Sequence, residues 1–160
     1  MTYSIYNSPI GPLLIAEENG AITEVSFMEA DTRKKFHKTS TPAQPPTGVT
    51  AQCISELEAY FAGKLQDFTV PIAPSGTEFR KRVWAALTTI PYGQTISYKE
   101  LAQRIGQPSA ARAVGGANNH NPISIMVPCH RVIGANGALV GYGGGLENKR
   151  ILLEHEMKHR

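Results

Sequence analysis

The chain has 160 residues, of which 41% are hydrophobic and 18% charged, and its 16 Lys+Arg against 13 Asp+Glu give a formal charge of +3. Such a chain can bury roughly 70% of the surface its unfolded form exposes, so a core forms without covalent staples, in one domain or two small lobes. Cys53 and Cys129 lack metal-type spacing, no apolar run approaches the ~20 residues that span a bilayer, and the first residues carry no basic and apolar leader pattern. Neither a disulfide framework nor a structural zinc site is suggested, no membrane anchor is expected, and the setting is expected to be reducing, cytoplasmic or nucleoid-associated.

The charge is unevenly spread. Residues 1–75 hold five Lys+Arg and eight Asp+Glu, a balance of −3, whereas residues 76–160 hold eleven and five, a balance of +6. Only the second half has an anion-seeking excess, which fits a nucleic-acid face and equally fits an ordinary basic enzyme.

In chain order, Tyr3 and Ile5, then Leu13 and Ile15, then Ile22, Val25 and Phe27 alternate like strands. Asn19-Gly20 between the last two runs is a two-residue hairpin signal, because a type I′ turn needs positive φ at both positions. Residues 39–50 carry three prolines and few large apolar side chains, and read as an exposed connection. A helix is expected over about 50–62 with Ile54, Leu57 and Phe61 on one face, Cys53 packed within it and Gly63 at C′. FTVPIAPSG at 68–76 reads as a strand ending in a boundary between an N-terminal α/β lobe (1–75) and a second domain (76–160).

Thr77 is placed to cap a helix reaching Thr89, with Phe79, Val83 and Leu87 on one face. Ser97-Tyr98-Lys99-Glu100 fits a capping box that opens a helix ending near Gly106. The next segment, AARAVGGANN, is built from small residues around Arg112, so the pair forms a helix-turn-helix pattern. Ala110, Ala111, Ala113, Gly115, Gly116 and Ala117 allow a close approach, either by another helix or by a nucleic-acid groove.

The run ISIMV reads as a short apolar strand that delivers Pro128-Cys129-His130-Arg131-Val132 at its end. A proline-restricted backbone and an electropositive setting favour a thiolate at Cys129, although a free cysteine also packs as a small hydrophobe, the reading adopted for Cys53. Adjacent strand residues point to opposite faces, so the backbone must bend if Cys129 and His130 are to cooperate.

PCHRVIG, preceded by RAVGGANNHNP and followed by GYGGGLENKRILLEHE, closely resembles the O6-alkylguanine-DNA alkyltransferases, over residues 76–156 almost without interruption. The resemblance implies an α+β fold: a small antiparallel sheet with one helix, then a mainly helical domain holding the helix-turn-helix and the cysteine loop. It implies that Cys129 takes the alkyl group from O6 of guanine in duplex DNA and keeps it, acting once. His130 would draw the thiol proton through a water, Glu156 would orient the imidazole, and Tyr98 would donate to N3 of the leaving guanine. Arg112 would enter the base stack while the helix bearing Ala110, Ala111 and Gly115 lies in the minor groove. Asn121 would brace the helix-turn-helix against the cysteine loop.

In the same resemblance Pro128, Val132, Tyr142 and Gly143 line the guanine pocket. Tyr142 lies against the base, and the backbone of Cys129 and Val132 accepts from its amino group. Gly143 replaces a serine or alanine of several relatives, which removes a side-chain hydrogen bond to O6. A monomer with neither metal nor cofactor is expected. A cysteine hydrolase using Cys129 and His130, or a non-catalytic sensor of alkylated DNA, are the competing readings.

Overall fold

Gly11–Glu18 (β2) and Ala21–Phe27 (β3) are joined by Asn19-Gly20 alone, with φ of 53° and 80°, the two positive values a type I′ turn requires. Thr2–Ser8 (β1) pairs antiparallel with β2, completing a three-stranded meander in the order β1-β2-β3. The computed structural model describes residues 2–28 and 42–160. Four consecutive residues of the central strand, Leu13 to Ala16, are buried. β1 turns Ser4 inward and Ile5 outward, and the Ser4 hydroxyl donates to the Gln44 carbonyl at 2.8 Å. Residues 42–47 are exposed and without regular structure, while 39–41 of the proline-bearing connection lie outside the described residues.

Gly48–Phe61 (α1) starts two residues earlier than expected, and the Thr50 hydroxyl accepts from the Thr47 N–H at 3.0 Å. Its buried stripe is Thr50, Cys53, Leu57 and Tyr60, so Ile54 and Phe61 sit at its margins. Gly63 (φ 76°) donates to Tyr60 O and Lys64 to Ala59 O, a Schellman closure. The expected strand over 68–76 is a single parallel bridge, Ile22 to Ile72. Pro71 and Pro74 bring no N–H, which limits any ladder there to this one contact.

The chain divides into two compact units, Met1–Ser75 and Gly76–Arg160, the second mainly helical, giving an α+β architecture. Among the described residues no helix is long and apolar enough to cross a membrane. In the second unit Glu78–Leu87 (α2) is capped by Thr77, whose hydroxyl accepts from Arg80 N, and it buries Val83, Trp84 and Leu87. Gly76 has no alternative, since a Cβ there would lie 2.6 Å from the Trp84 ring. Ile96–Ser97 (β4) leads into Tyr98–Arg104 (α3), where Ser97 caps Glu100 N. Gly106 at φ 75° ends it, and Ala111–Asn119 (α4) packs on α2 and α3, with the Trp84 indole N–H donating to Ala117 O at 2.9 Å.

Between α4 and the cysteine the expected ISIMV strand is absent. Ile125 stands at φ 73°, a strained value for a β-branched residue, so the segment folds as turns. The Asn121 side chain replaces the missing ladder. Its Nδ2 donates to Ile123 O at 3.2 Å and Val127 O at 2.8 Å, and its Oδ1 accepts from Ile123 N at 3.0 Å. Cys129–Arg131 then form one 3-10 turn, followed by Val132–Ile133 (β5), which pairs parallel with β4. Leu146–Lys158 (α5) closes the unit.

Candidate active site

The turn at Cys129–Arg131 supplies the bend that lets neighbouring side chains serve one site. Above it, α5 aligns Lys149, Leu152 and Glu156 on one stripe, all buried. Glu156 is the hub. Its Oε2 is 2.7 Å from His130 Nε2, Arg131 grips both oxygens (Nε to Oε1 at 2.8 Å, Nη2 to Oε2 at 3.0 Å), and Gly93 N donates at 3.3 Å. Arg131 is itself anchored by Nη1 on Ile90 O at 2.7 Å. Burial alone would raise the Glu156 pKa, but His130 and Arg131 outweigh it and hold the carboxyl well below the usual range.

His130 is fully buried, and burial keeps its pKa below the ordinary value against the pull of Glu156. A neutral imidazole therefore donates from Nε2 to the carboxylate, which leaves the Nδ1 lone pair available. Nδ1 is buried and has no hydrogen-bond partner among the described residues. This is the arrangement of a general base whose orientation is fixed from behind.

Cys129 is 4% exposed, and burial pushes its thiol up to about 11, so the resting group is protonated. The electropositive setting expected from His130 and Arg131 is not what it meets, because both are turned to Glu156. Two other groups favour the thiolate: Asn121 Nδ2, 3.2 Å from Sγ, and the Lys149 ammonium. Lys149 Nζ donates to Val132 O at 2.6 Å, Val140 O at 3.0 Å and Gly141 O at 3.2 Å, binding β5 to the loop that precedes α5. Burial lowers its pKa to about 8.

An open cavity of about 480 Å³ is lined by Tyr98, Ala111, Arg112, Gly115, Asn119, Val140 and Gly141. The structure thus brings together four of the residues singled out in the sequence, with Arg112 exposed at the rim and the Tyr98 ring over Gly115. Ala110 is the residue preceding α4, whose first turn lacks a side-chain cap. Pro128, Cys129, Val132, Tyr142 and Gly143 are not on the cavity wall. The Tyr98 hydroxyl donates to Val140 O at 2.8 Å. Tyr142 is half-buried near Ser124, and burial raises its pKa well above the ordinary value. Gly143 is exposed, and a Cβ there would lie 3.3 Å from Asn119 O. The Val132 carbonyl already accepts from Lys149, and that of Cys129 from both the Val132 N–H and Asn118 Nδ2 at 3.4 Å.

Sequence reasoning took Arg131 as a charge beside the thiol, not as the partner of Glu156, and missed Lys149 and Asn118. The signal for Lys149 was present: in GLENKRILLEHE it stands three and seven residues before Leu152 and Glu156, a lysine on the apolar stripe of a helix.

Residues 78–158 match the family model of the 6-O-methylguanine DNA methyltransferase DNA-binding domain, and residues 1–74 that of the same family's ribonuclease-like domain. The chain is 51% identical over 156 residues to a methylated-DNA--protein-cysteine methyltransferase of Methanosarcina acetivorans, covering 98% of each, and 50% identical to one of Mycobacterium leprae, covering 96% of this chain and 90% of the relative. Its fold is similar to the Mycobacterium tuberculosis OGT solved in complex with DNA, with a TM-score of 0.88, 49% identity and coverage of 99% and 94%. The chain, from its meander through its cysteine turn to α5, belongs to the 6-O-methylguanine DNA methyltransferase family.

Proposed function

We propose that this protein repairs DNA by transferring the alkyl group of O6-alkylguanine to Cys129 Sγ, once per molecule and without metal or cofactor. The observation that supports the reading is the buried His130–Glu156 pair on the turn that carries the buried Cys129, in a unit whose open cavity is edged by Tyr98 and Arg112. His130 takes the thiol proton through an intervening water, the sulfur attacks the alkyl carbon, and the C–O6 bond breaks with its electrons passing to the purine. Tyr98 supplies a proton at N3 to neutralise that charge. The thioether has no easy hydrolytic exit, so the protein is spent.

A base stacked in a duplex cannot reach a sulfur that is 4% exposed, so the nucleotide must rotate out and part Tyr98 from Val140. The small residues at 110–117 and the uncapped first turn of α4 suit a helix lying in the minor groove with its N–H groups near phosphate, the protein binding as a monomer. Mass spectrometry after incubation with O6-methylguanine duplex should find one methyl per protein, on the Cys129 peptide. Continued turnover would instead establish a hydrolase, and tight binding without mass change a sensor.

Arg112 holds the vacated space in the stack. Unstacking costs a few kcal/mol, so Arg112→Ala should slow transfer from duplex by about tenfold or more while leaving the reaction with free O6-benzylguanine unchanged. Equal slowing on both substrates would place Arg112 in the chemistry or the fold.

A further inference from the structure

One buried amide stands between the tyrosine and the cysteine turn and has no part in the mechanism above. Asn118, on α4, is 1% exposed, and its Nδ2 donates to the Cys129 carbonyl at 3.4 Å. One turn earlier on the same face of the helix is Gly115, where a Cβ would lie 3.8 Å from the Tyr98 ring. The Tyr98 hydroxyl bonds to the Asn118 side chain as well. It donates its own proton to Val140 O at 2.8 Å, so the bond with Asn118 is one it accepts, from an amide N–H. That direction has a chemical sign. Burial and the nearby Cys129 raise the phenol pKa above its ordinary value, and the Asn118 N–H works against both by favouring the negative oxygen that forms when the proton leaves.

The amide keeps this orientation at a cost. A carbonyl can only accept, and the hydroxyl proton is committed to Val140, so both partners need donors. Presenting the NH2 group to both leaves Oδ1 buried with no hydrogen-bond partner among the described residues, which destabilises the fold. An unsatisfied group retained beside reacting atoms points to a role in the reaction. We infer that Asn118 is a positioning residue for proton transfer to the leaving guanine: one Nδ2 hydrogen holds the Tyr98 hydroxyl oxygen, so that its proton turns to N3 once the base displaces Val140 O, and the other ties the tyrosine to the turn that carries Cys129. The inference rests on the alkyl-transfer reading above. In this step the phenol O–H bond breaks as the N3–H bond forms, and the electron pair left on the Tyr98 oxygen is stabilised by the Asn118 N–H. The proton that His130 takes from the thiol balances the one that Tyr98 gives up.

Single-turnover methylation of Cys129, followed by intact mass, tests this with two duplexes that differ only in carrying O6-methylguanine or O6-methyl-3-deazaguanine, in which a C–H replaces N3 and can take no proton. Loss of one hydrogen bond to an oxygen that becomes charged corresponds to about tenfold or more, so Asn118→Leu should slow transfer from O6-methylguanine by about that factor and leave transfer from the 3-deaza analogue within about twofold of wild type. In a Tyr98→Phe background the same substitution should change neither rate. A merely structural role would slow both duplexes alike, and that result, or unchanged rates on both, would overturn the assignment. Asn118→Asp keeps the shape of the side chain and removes its N–H donors, so it should lose the O6-methylguanine advantage as well. It decides the matter should Asn118→Leu fail to fold, and a wild-type advantage in it refutes the contact. Equal wild-type rates on the two duplexes would remove Tyr98 from the proton transfer, and Asn118 with it, while leaving alkyl transfer in place. No adduct from either duplex would remove the repair reading itself.

Discussion

Glu156→Ala should lower stability by about 3–5 kcal/mol and slow alkyl transfer by about a thousandfold, the first because a buried guanidinium loses its counter-ion and the second because the base loses its orienter. Arg131 is 6% exposed and directs two of its nitrogens at Glu156, so the variant leaves a charge in the interior with no counter-ion, facing only neutral groups such as Ile90 O and the Tyr92 ring among the described residues. Glu156→Gln keeps an oxygen for His130 but not the charge, and should fall between. The double variant Arg131→Met/Glu156→Ala separates the two effects. Removing both charges should restore most of the stability while transfer stays low, since His130 still lacks its partner. Recovery of transfer along with stability would show that Glu156 acts only through the fold.

The same pair makes the protein acid-sensitive. Glu156 is depressed in the fold, so the stability it contributes is complete above the unfolded carboxyl pKa of about 4.5 and is lost as pH falls from there toward its folded value. His130 is depressed too: above about 6.5 it is neutral in both states, and below that the unfolded chain takes up a proton that the fold resists. Urea melts at decreasing pH should therefore show stability declining from about pH 6.5 and more steeply below 4.5, with Glu156→Ala shrinking the second phase to the part that Glu56, also held low by its hydrogen bonds, still contributes.

What was legible in the sequence was local. Asn19-Gly20, Thr77, Ser97 and Gly106 each impose a backbone requirement that can be read from one or two residues, and the meander and the helix-turn-helix follow from them. The run at 123–127 misled because five apolar residues fit a strand or any buried path. What decides is Asn121, whose amide satisfies the backbone that a neighbouring strand would otherwise serve, with Ile125 forced to positive φ. The motif named Cys129, His130 and Glu156, and the fold buries all three and pairs His130 with Glu156. Contacts between distant segments left no such mark: Arg131 meets Glu156 across 25 positions and Lys149 meets Val132 across 17. Reading His130 and Arg131 as neighbours of Cys129 assigned them to the thiol, whereas the fold turns the Arg131 charge and the neutral His130 N–H toward a carboxylate.

That leaves Lys149 as the cation that matters to the sulfur, and Lys149→Met should show it in the pH profile. An opposite charge a few Å from an ionising group shifts its balance by about ten- to a thousandfold, and the greater nucleophilicity of a more basic thiolate offsets about half of that on a logarithmic scale. Transfer at pH 7 should therefore fall by about 10- to 30-fold. The high-pH side distinguishes this from mere loosening of the loop at 140–141. In the wild type, raising the pH ionises more Cys129 but strips the charge from Lys149 around its pKa of about 8, so the rate levels off there. Without Lys149 the rate should keep climbing toward the pKa of the thiol. Lys149→Arg, which stays charged, should climb as well, from a higher starting rate than Lys149→Met. Identical plateaus near pH 8 in wild type and Lys149→Met would assign the levelling to another group and reduce Lys149 to a clamp on three carbonyls.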